Sequence, residues 1–158
     1  MFFLNKNELS PRLSQIQALS LFSTLSPREL KVVDGLLHER TYLKDEIVFD
    51  EGEEGQALYI IMSGSVIICR QGQPVGGKLV ELGAANVFGE LALLDDVARA
   101  AQARVLENCT LAVFFRDDFL SLLQTHAVIA SKISLQLARH IGRRLRQTVG
   151  TVTNTPHL

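Results

Sequence analysis

The chain has no tryptophan, only two cysteines and four prolines, and almost no net charge, with 16 Lys+Arg against 17 Asp+Glu. Two cysteines cannot supply the framework of bridges that holds a small secreted domain together. Cys69 and Cys109 each sit inside an apolar run, where buried free thiols are common. A cytosolic protein without a disulfide is the expectation. No apolar run approaches the ~18 residues of a membrane span. Met1-Phe2-Phe3-Leu4 gives way at once to Asn5-Lys6-Asn7-Glu8, so neither a signal peptide nor a transmembrane segment is expected. What remains is a globular composition, 47% hydrophobic and 21% charged over 158 residues, which argues for one domain and against disorder. A chain of that length can bury roughly 68–70% of its unfolded surface.

The first 40 residues read as helical. Ser10-Pro11 and Ser26-Pro27-Arg28-Glu29 each place a capping hydroxyl before a proline suited to the first helical turn. The second adds a glutamate at capping-box spacing, so a helix is predicted from Ser26 to about Leu37. From Thr41 to Phe115 the texture changes to short apolar runs: 46–49, 58–62, 65–70, 78–82, 102–105 and 110–115. Glycines mark turns between them, Gly64 among them, and such close spacing favours an antiparallel roll or barrel over a parallel sheet with helical crossovers. After Arg116 the pattern is helical again, with candidates at 117–125 and 127–148 and a polar tail at 149–158.

One helix-like run interrupts the strands: Phe88-Gly89-Glu90-Leu91-Ala92-Leu93-Leu94-Asp95-Asp96-Val97-Ala98-Arg99-Ala100-Ala101. A short helix starting near Gly89 would present N–H groups without intrahelical partners, at the positive end of its dipole. Arg99 can add a planar fork suited to phosphate, and Ala100 and Ala101 leave their own N–H groups accessible. Glu90 would repel a phosphate and is better used as an acceptor for a sugar hydroxyl. Each part also has a plainer reading: Gly89 as a turn residue, Glu90 as a dipole partner, Arg99 in a surface ion pair with Asp95 or Asp96.

Together these residues closely resemble the phosphate-binding cassette of cyclic-nucleotide-binding domains, in which Phe-Gly-Glu-Leu-Ala-Leu is followed by Arg-Ala-Ala at the same spacing. Lys44 to Val66, with glycines at 52, 55 and 64, resembles the early strands of that family, and the likeness covers roughly Leu21 to Gln147. The resemblance implies an α+β fold with a mainly β core. That fold is an eight-stranded antiparallel β-roll of jelly-roll type, with N-terminal helices, a short phosphate-binding helix and a long C-terminal helix. The implied layout is a helical segment at 1–40, the roll at 41–116 with its cassette at 88–101, a helical lid at 117–148 and the tail. By position, Glu90 would bind the ribose 2′-hydroxyl and Arg99 the cyclic phosphate. Main-chain N–H groups of Gly89, Leu91, Ala92, Ala100 and Ala101 would complete the anion site, and Ile68, Leu79 and Val80 would contact the purine.

The sequence departs from the family pattern in three places. Ala98 stands where proline is frequent, Asp95-Asp96 replace a pair that often includes glycine, and Gln102 occupies a position where a hydroxyl often contacts the base. Losing the proline loosens the unfolded cassette by a few tenths to about 1 kcal/mol. The paired aspartates are placed to hold Arg99 when no ligand is bound. Without a hydroxyl at 102 the expected ligand is cyclic AMP rather than cyclic GMP, although a Gln amide can bond either purine. No cofactor beyond that ligand is expected.

On the last helix Ile129, Ile133, Leu137, Ile141, Leu145 and Val149 recur every four residues, so the stripe drifts about 40° per step. Its first half can pack on the sheet while its second half turns toward a neighbour, and Ala130, Ser134, Ala138 and Gly142 form an adjoining row of small residues. A homodimer through this helix and a helix packed only on its own domain are both open. Lys132, Arg139, Arg143, Arg144 and Arg146 are the only formal charges after Asp118. They suit the negative end of a helix dipole, and no aromatic interleaving, second recognition helix or basic arm points to nucleic acid. Arg144 or Leu145 would lie over the purine in the family arrangement.

The expected role is a cyclic-AMP-sensing module without chemistry of its own, acting on a separate, unknown protein or by self-association, with no nucleic acid or membrane partner. A metal enzyme of the cupin type would need histidines on strands, and His38, His126, His140 and His157 fall in expected helices or the tail. The alternative is a nucleotide-independent interaction domain with a degenerate cassette.

Overall fold

The structure, a computed structural model, describes residues 9–153. The tail residues 154–158, His157 among them, and the opening residues 1–8 lie outside the described region.

Both predicted serine–proline starts are helix starts. Helix α1 (Pro11–Gln17) is capped by Ser10 Oγ, which accepts from the Leu13 N–H at 3.2 Å. Helix α2 (Pro27–Asp34) carries the reciprocal capping box between Ser26 and Glu29. A 3-10 turn at Ser20–Phe22 joins them. The strands are β1 (His38–Tyr42), β2 (Ile47–Phe49), β3 (Ala57–Arg70), β4 (Gln73–Leu82), β5 (Val87–Phe88) and β6 (Gln102–Phe115), with the four-residue helix α3 (Leu91–Leu94) between the last two. Helices α4 (Arg116–Thr125) and α5 (Ala127–Thr153) follow.

The expected eight-stranded roll with a mainly β core is not what forms. Among the described residues there are six strands in one open antiparallel sheet of order β1-β6-β3-β4, with β2 also on β6 and β5 also on β3. Two of the expected breaks are absent. Residues 58–62 and 65–70 are halves of one strand, β3, and 102–105 and 110–115 are halves of β6. Gly64 is the reason on β3. At φ +85° it lets the chain bulge and continue, with register shifts between Ile61 and Val66, instead of turning back. Any side chain there would run into the Asn108 carbonyl and lie 2.6 Å from Cys109 Cβ. Two short strands were hidden in the sequence: β1 reads His-Glu-Arg-Thr-Tyr and lies exposed at the sheet edge, and β5 has only two residues.

The core is mixed rather than mainly β. Along β3, Leu58 and Ile60 pack with the helices (Ile16, Phe22, Leu30, Phe119, Ile133), while Tyr59 and Ile61 pack with Phe49, Phe88, Val105 and Leu111 on the other side. A strand buried on both faces accounts for the unbroken apolar run. Helix α5 spends Ile129, Ile133 and Leu137 in the first cluster and is tied to α2 by Lys132, whose Nζ donates to Glu29 at 2.7 Å.

Candidate functional site

Strand β5 delivers the chain to Gly89, whose φ of +70° turns it into Glu90 and α3. After α3 the backbone returns beside the loop that precedes β3. The Arg99 N–H donates to Glu53 O and the Gly52 N–H to Arg99 O, both at 2.8 Å. Main-chain bonds thus fix Arg99 before its side chain is considered.

That side chain is buried, 8% exposed. Nη2 donates to Ala57 O at 2.8 Å and Nη1 to Gly89 O at 3.2 Å, and the guanidinium lies 4.1 Å from the centre of the Phe49 ring. Tyr59, stacked on Phe88, forms the far wall, its ring centre 5.7 Å from the guanidinium. Burial pushes the arginine's pKa down, against the pull of Tyr59 and Glu53, yet a guanidinium starts so high that it stays charged. Nη1 and Nη2 each donate to a main-chain carbonyl, and the buried Nε has no hydrogen-bond partner. Among the described residues no carboxylate forms an ion pair with it. A buried cation without a protein counter-charge is costly to keep and suits an anionic ligand.

Arg99 lines a cavity of about 170 Å³ together with Gly89, Glu90, Leu91, Ala92, Ala100, Ala101, Ile68 and Arg144, all singled out in the sequence, over an apolar floor of Phe49, Leu82 and Phe88. The N–H of Ala92 is donated to Gly89 O at 3.3 Å. Among the described residues no main-chain carbonyl outside the helices and strands receives the N–H of Gly89, Leu91, Ala100 or Ala101.

Glu90 closes the other side. It is 5% exposed, and its Oε1 accepts a hydrogen bond from Arg144 Nη1 of α5, with His140 Nε2 at 3.6 Å. Burial alone would raise this carboxyl's pKa. The approach of His140, its own backbone N–H and the charge of Arg144 outweigh burial and hold it below the usual range.

The family profile of the cyclic nucleotide-binding domain matches residues 39–126, more than half of the chain. The chain belongs to the cyclic nucleotide-binding domain family. It is 35% identical over 124 residues, 77% of its length, to the cyclic AMP receptor protein of Thermus thermophilus, and spans 56% of that relative. The crystal structure of the catabolite activator protein of the same organism superposes with a TM-score of 0.73 at 33% identity, over 85% of this chain and 62% of that one. A cyclic nucleotide-binding domain from Methylobacillus flagellatus superposes with a TM-score of 0.81 at 21% identity, over 93% and 86%, and shares the fold.

In this cyclic nucleotide-binding domain three of the singled-out residues lie outside the first cavity. Leu79 and Val80 line an adjoining one of about 490 Å³ between β4 and α5, which shares Leu82 and Arg144 with the first. Gln102 lines neither. Its Nε2 donates to Asp50 at 2.5 Å and its Oε1 faces Cys69 Sγ at 3.6 Å. The aspartates do not hold Arg99 either: Asp95 Oδ1 accepts from the Asp96 N–H, and Asp96 lies 3.7 Å from Arg116.

Sequence reasoning missed Phe49 and Tyr59 under the guanidinium and His140 beside Glu90. For Phe49 the sequence carried no sign, because residues 47–49 are apolar throughout and show no alternation. For His140 it did, since His140 precedes Arg144 by one helical turn. Among the described residues no cluster of His, Cys, Asp and Glu is placed to hold a metal ion, and no helix is long and apolar enough to cross a membrane.

Proposed function

We propose that this domain binds a cyclic nucleotide, cyclic AMP in preference to cyclic GMP, and reports the binding through α5. The observation that carries this reading is Arg99: a buried guanidinium without a carboxylate partner, at a cavity whose rim offers main-chain N–H groups. Arg99 and the N–H groups of Gly89, Leu91, Ala100 and Ala101 take the cyclic phosphate. Glu90 takes the ribose 2′-hydroxyl. Ile68, which lines the first cavity, contacts the base, and Leu79 and Val80 of the adjoining cavity complete that contact. Gln102 lines neither cavity and is turned toward Asp50, so no hydroxyl or amide at this position meets a guanine, which supports the adenine preference. The Thermus relative, named as a cyclic AMP receptor, supports the same ligand.

Signalling follows from the Glu90–Arg144 contact. A ribose hydroxyl on Glu90 displaces Arg144, which is then free to stack on the base, and any ligand that favours that arrangement shifts α5 with it. The domain acts on other molecules in the cytoplasm, through a protein partner or through a second copy paired along α5, and performs no catalysis of its own. Calorimetric titration with cyclic AMP and cyclic GMP tests the reading. Saturable heat with cyclic AMP, lost in Arg99→Ala, is expected; no heat with either nucleotide at millimolar concentration overturns it.

A further inference from the structure

Helix α3 presents the proposed anion site yet has only four residues, too few to be stable by itself. Its last carbonyls have no partner further along the helix and must find donors elsewhere. The donor is Arg116. Its Nη1 lies 2.8 Å from Gly55 O, 3.0 Å from Asp95 O and 3.1 Å from Ala92 O, so a single guanidinium nitrogen gathers carbonyls from the loop before β3, from α3 and from the residue that ends α3. Its backbone N–H donates to Gln56 O at 2.8 Å, beside the same loop. The side chain is 16% exposed.

Arg116 is also the first residue of α4, where a cation faces the positive end of the helix dipole and is locally unfavourable. Asp117 and Asp118 in the same turn compensate for it. The position is therefore explained by what the side chain holds and not by the helix it begins. For α4 to shift relative to the sheet, these carbonyls must be released.

We propose that Arg116 is a positioning residue that fastens α3, and with it the amides around Arg99, to the base of the α4–α5 segment, so that the two move as one unit. As a statement about nucleotide affinity this rests on the function proposed above; as a statement about mechanical linkage it does not. The test uses the full chain as wild type, Arg116→Gln, Arg116→Lys and Asp96→Asn, with amide hydrogen exchange measured without nucleotide and calorimetric titration with cyclic AMP. Charge-assisted hydrogen bonds to carbonyls are lost in Arg116→Gln, so exchange over residues 89–95 and 116–125 should quicken about tenfold while 38–42 stays at the wild-type rate. Cyclic AMP affinity should fall by about tenfold, with Arg116→Lys between and Asp96→Asn unchanged, its ion pair being exposed.

The proposal is overturned if residues 89–95 keep their rate, or if exchange rises equally across the chain, as it would for a residue that only stabilises the fold. Should Arg116→Gln fail to fold, Arg116→Lys decides by the same two criteria. Wild-type protein that takes up no cyclic AMP but shows the paired exchange response removes the sensing reading and leaves the linkage standing. Normal binding without that response does the reverse.

Discussion

Arg144 on α5 donates a hydrogen bond to Glu90 on the turn into α3, joining the C-terminal helix to the rim of the cavity around Arg99 across 54 positions of sequence. The carboxylate proposed to bind the sugar is thus the one that holds the helix. For Glu90→Gln we expect cyclic AMP affinity to fall by about tenfold, the value of one charge-assisted hydrogen bond. Affinity for 2′-deoxy cyclic AMP should stay near its wild-type value. Competitive titration of the two ligands measures this, and equal losses for both would refute the role of Glu90 at the ribose.

The same carboxyl makes stability depend on pH. Its folded pKa is held below the ordinary value of 4.5, so it contributes stability that is present above that value and is lost as pH falls through the folded pKa. The melting temperature of wild type should therefore drop toward that of Glu90→Gln on acidification below about pH 4.5, with the gap between them widest near neutrality. Thermal melts of both proteins from pH 7 to pH 3 provide the check.

Gly89 separates the presence of Arg99 from its placement. A Cβ at position 89 would lie 2.5 Å from Arg99 Nη1, and the backbone there has φ +70°. Gly89→Ala keeps the guanidinium but pushes it aside, at a conformational cost of about 1–2 kcal/mol. Nucleotide binding should weaken to the level of Arg99→Ala, although the domain still folds. Retention of wild-type affinity in a folded Gly89→Ala protein would show that the position of the guanidinium is not decisive.

That Gly89-Glu90 and Arg99-Ala100-Ala101 would line one cavity was legible because they lie within 14 residues and carry the chemistry of the proposed anion site in their residue types. Its surroundings were not. Phe49, Tyr59, His140 and Arg116 come from four separate segments, and only folding brings them to Arg99, Glu90 and α3. Both helix starts were legible because capping is local. The strand count was not, because whether Gly64 turns the chain or lets it bulge depends on Asn108 and Cys109, 44 and 45 residues away.

That dependence gives a prediction of its own. Gly64→Ala forces a side chain at φ +85° against the Asn108 carbonyl, a combination of backbone strain and overpacking that should cost about 2–4 kcal/mol. At roughly 2–4 °C per kcal/mol for a domain of this size, the melting temperature falls by about 5–15 °C. Position 64 lines neither cavity, so nucleotide selectivity should not change. A melting temperature within a degree of wild type would mean the bulge relaxes freely.

Helix α5 meets the core through Ile129, Ile133, Leu137 and Ile141 and keeps another face outside it. Val128, Leu135, Leu145 and Val149 are each more than half exposed and recur at steps of 7, 10 and 4, close to the 3.5-residue period of a two-helix seam, with Ala138 and Gly142 falling between them. Exposed apolar residues in register along a helix are the pattern expected of a surface that another helix covers, and small residues between them allow close approach. A second copy would supply the same seam by two-fold symmetry, so self-association through α5 is the expected behaviour. Placing one charge in that seam sets two like charges near each other in the pair. Leu145→Asp should therefore shift the protein to monomer in sedimentation velocity while its circular dichroism stays that of the folded domain, since the core around Ile133 and Leu137 is untouched. Wild-type protein that sediments as a monomer up to high micromolar concentration, with and without cyclic AMP, would exclude the pairing.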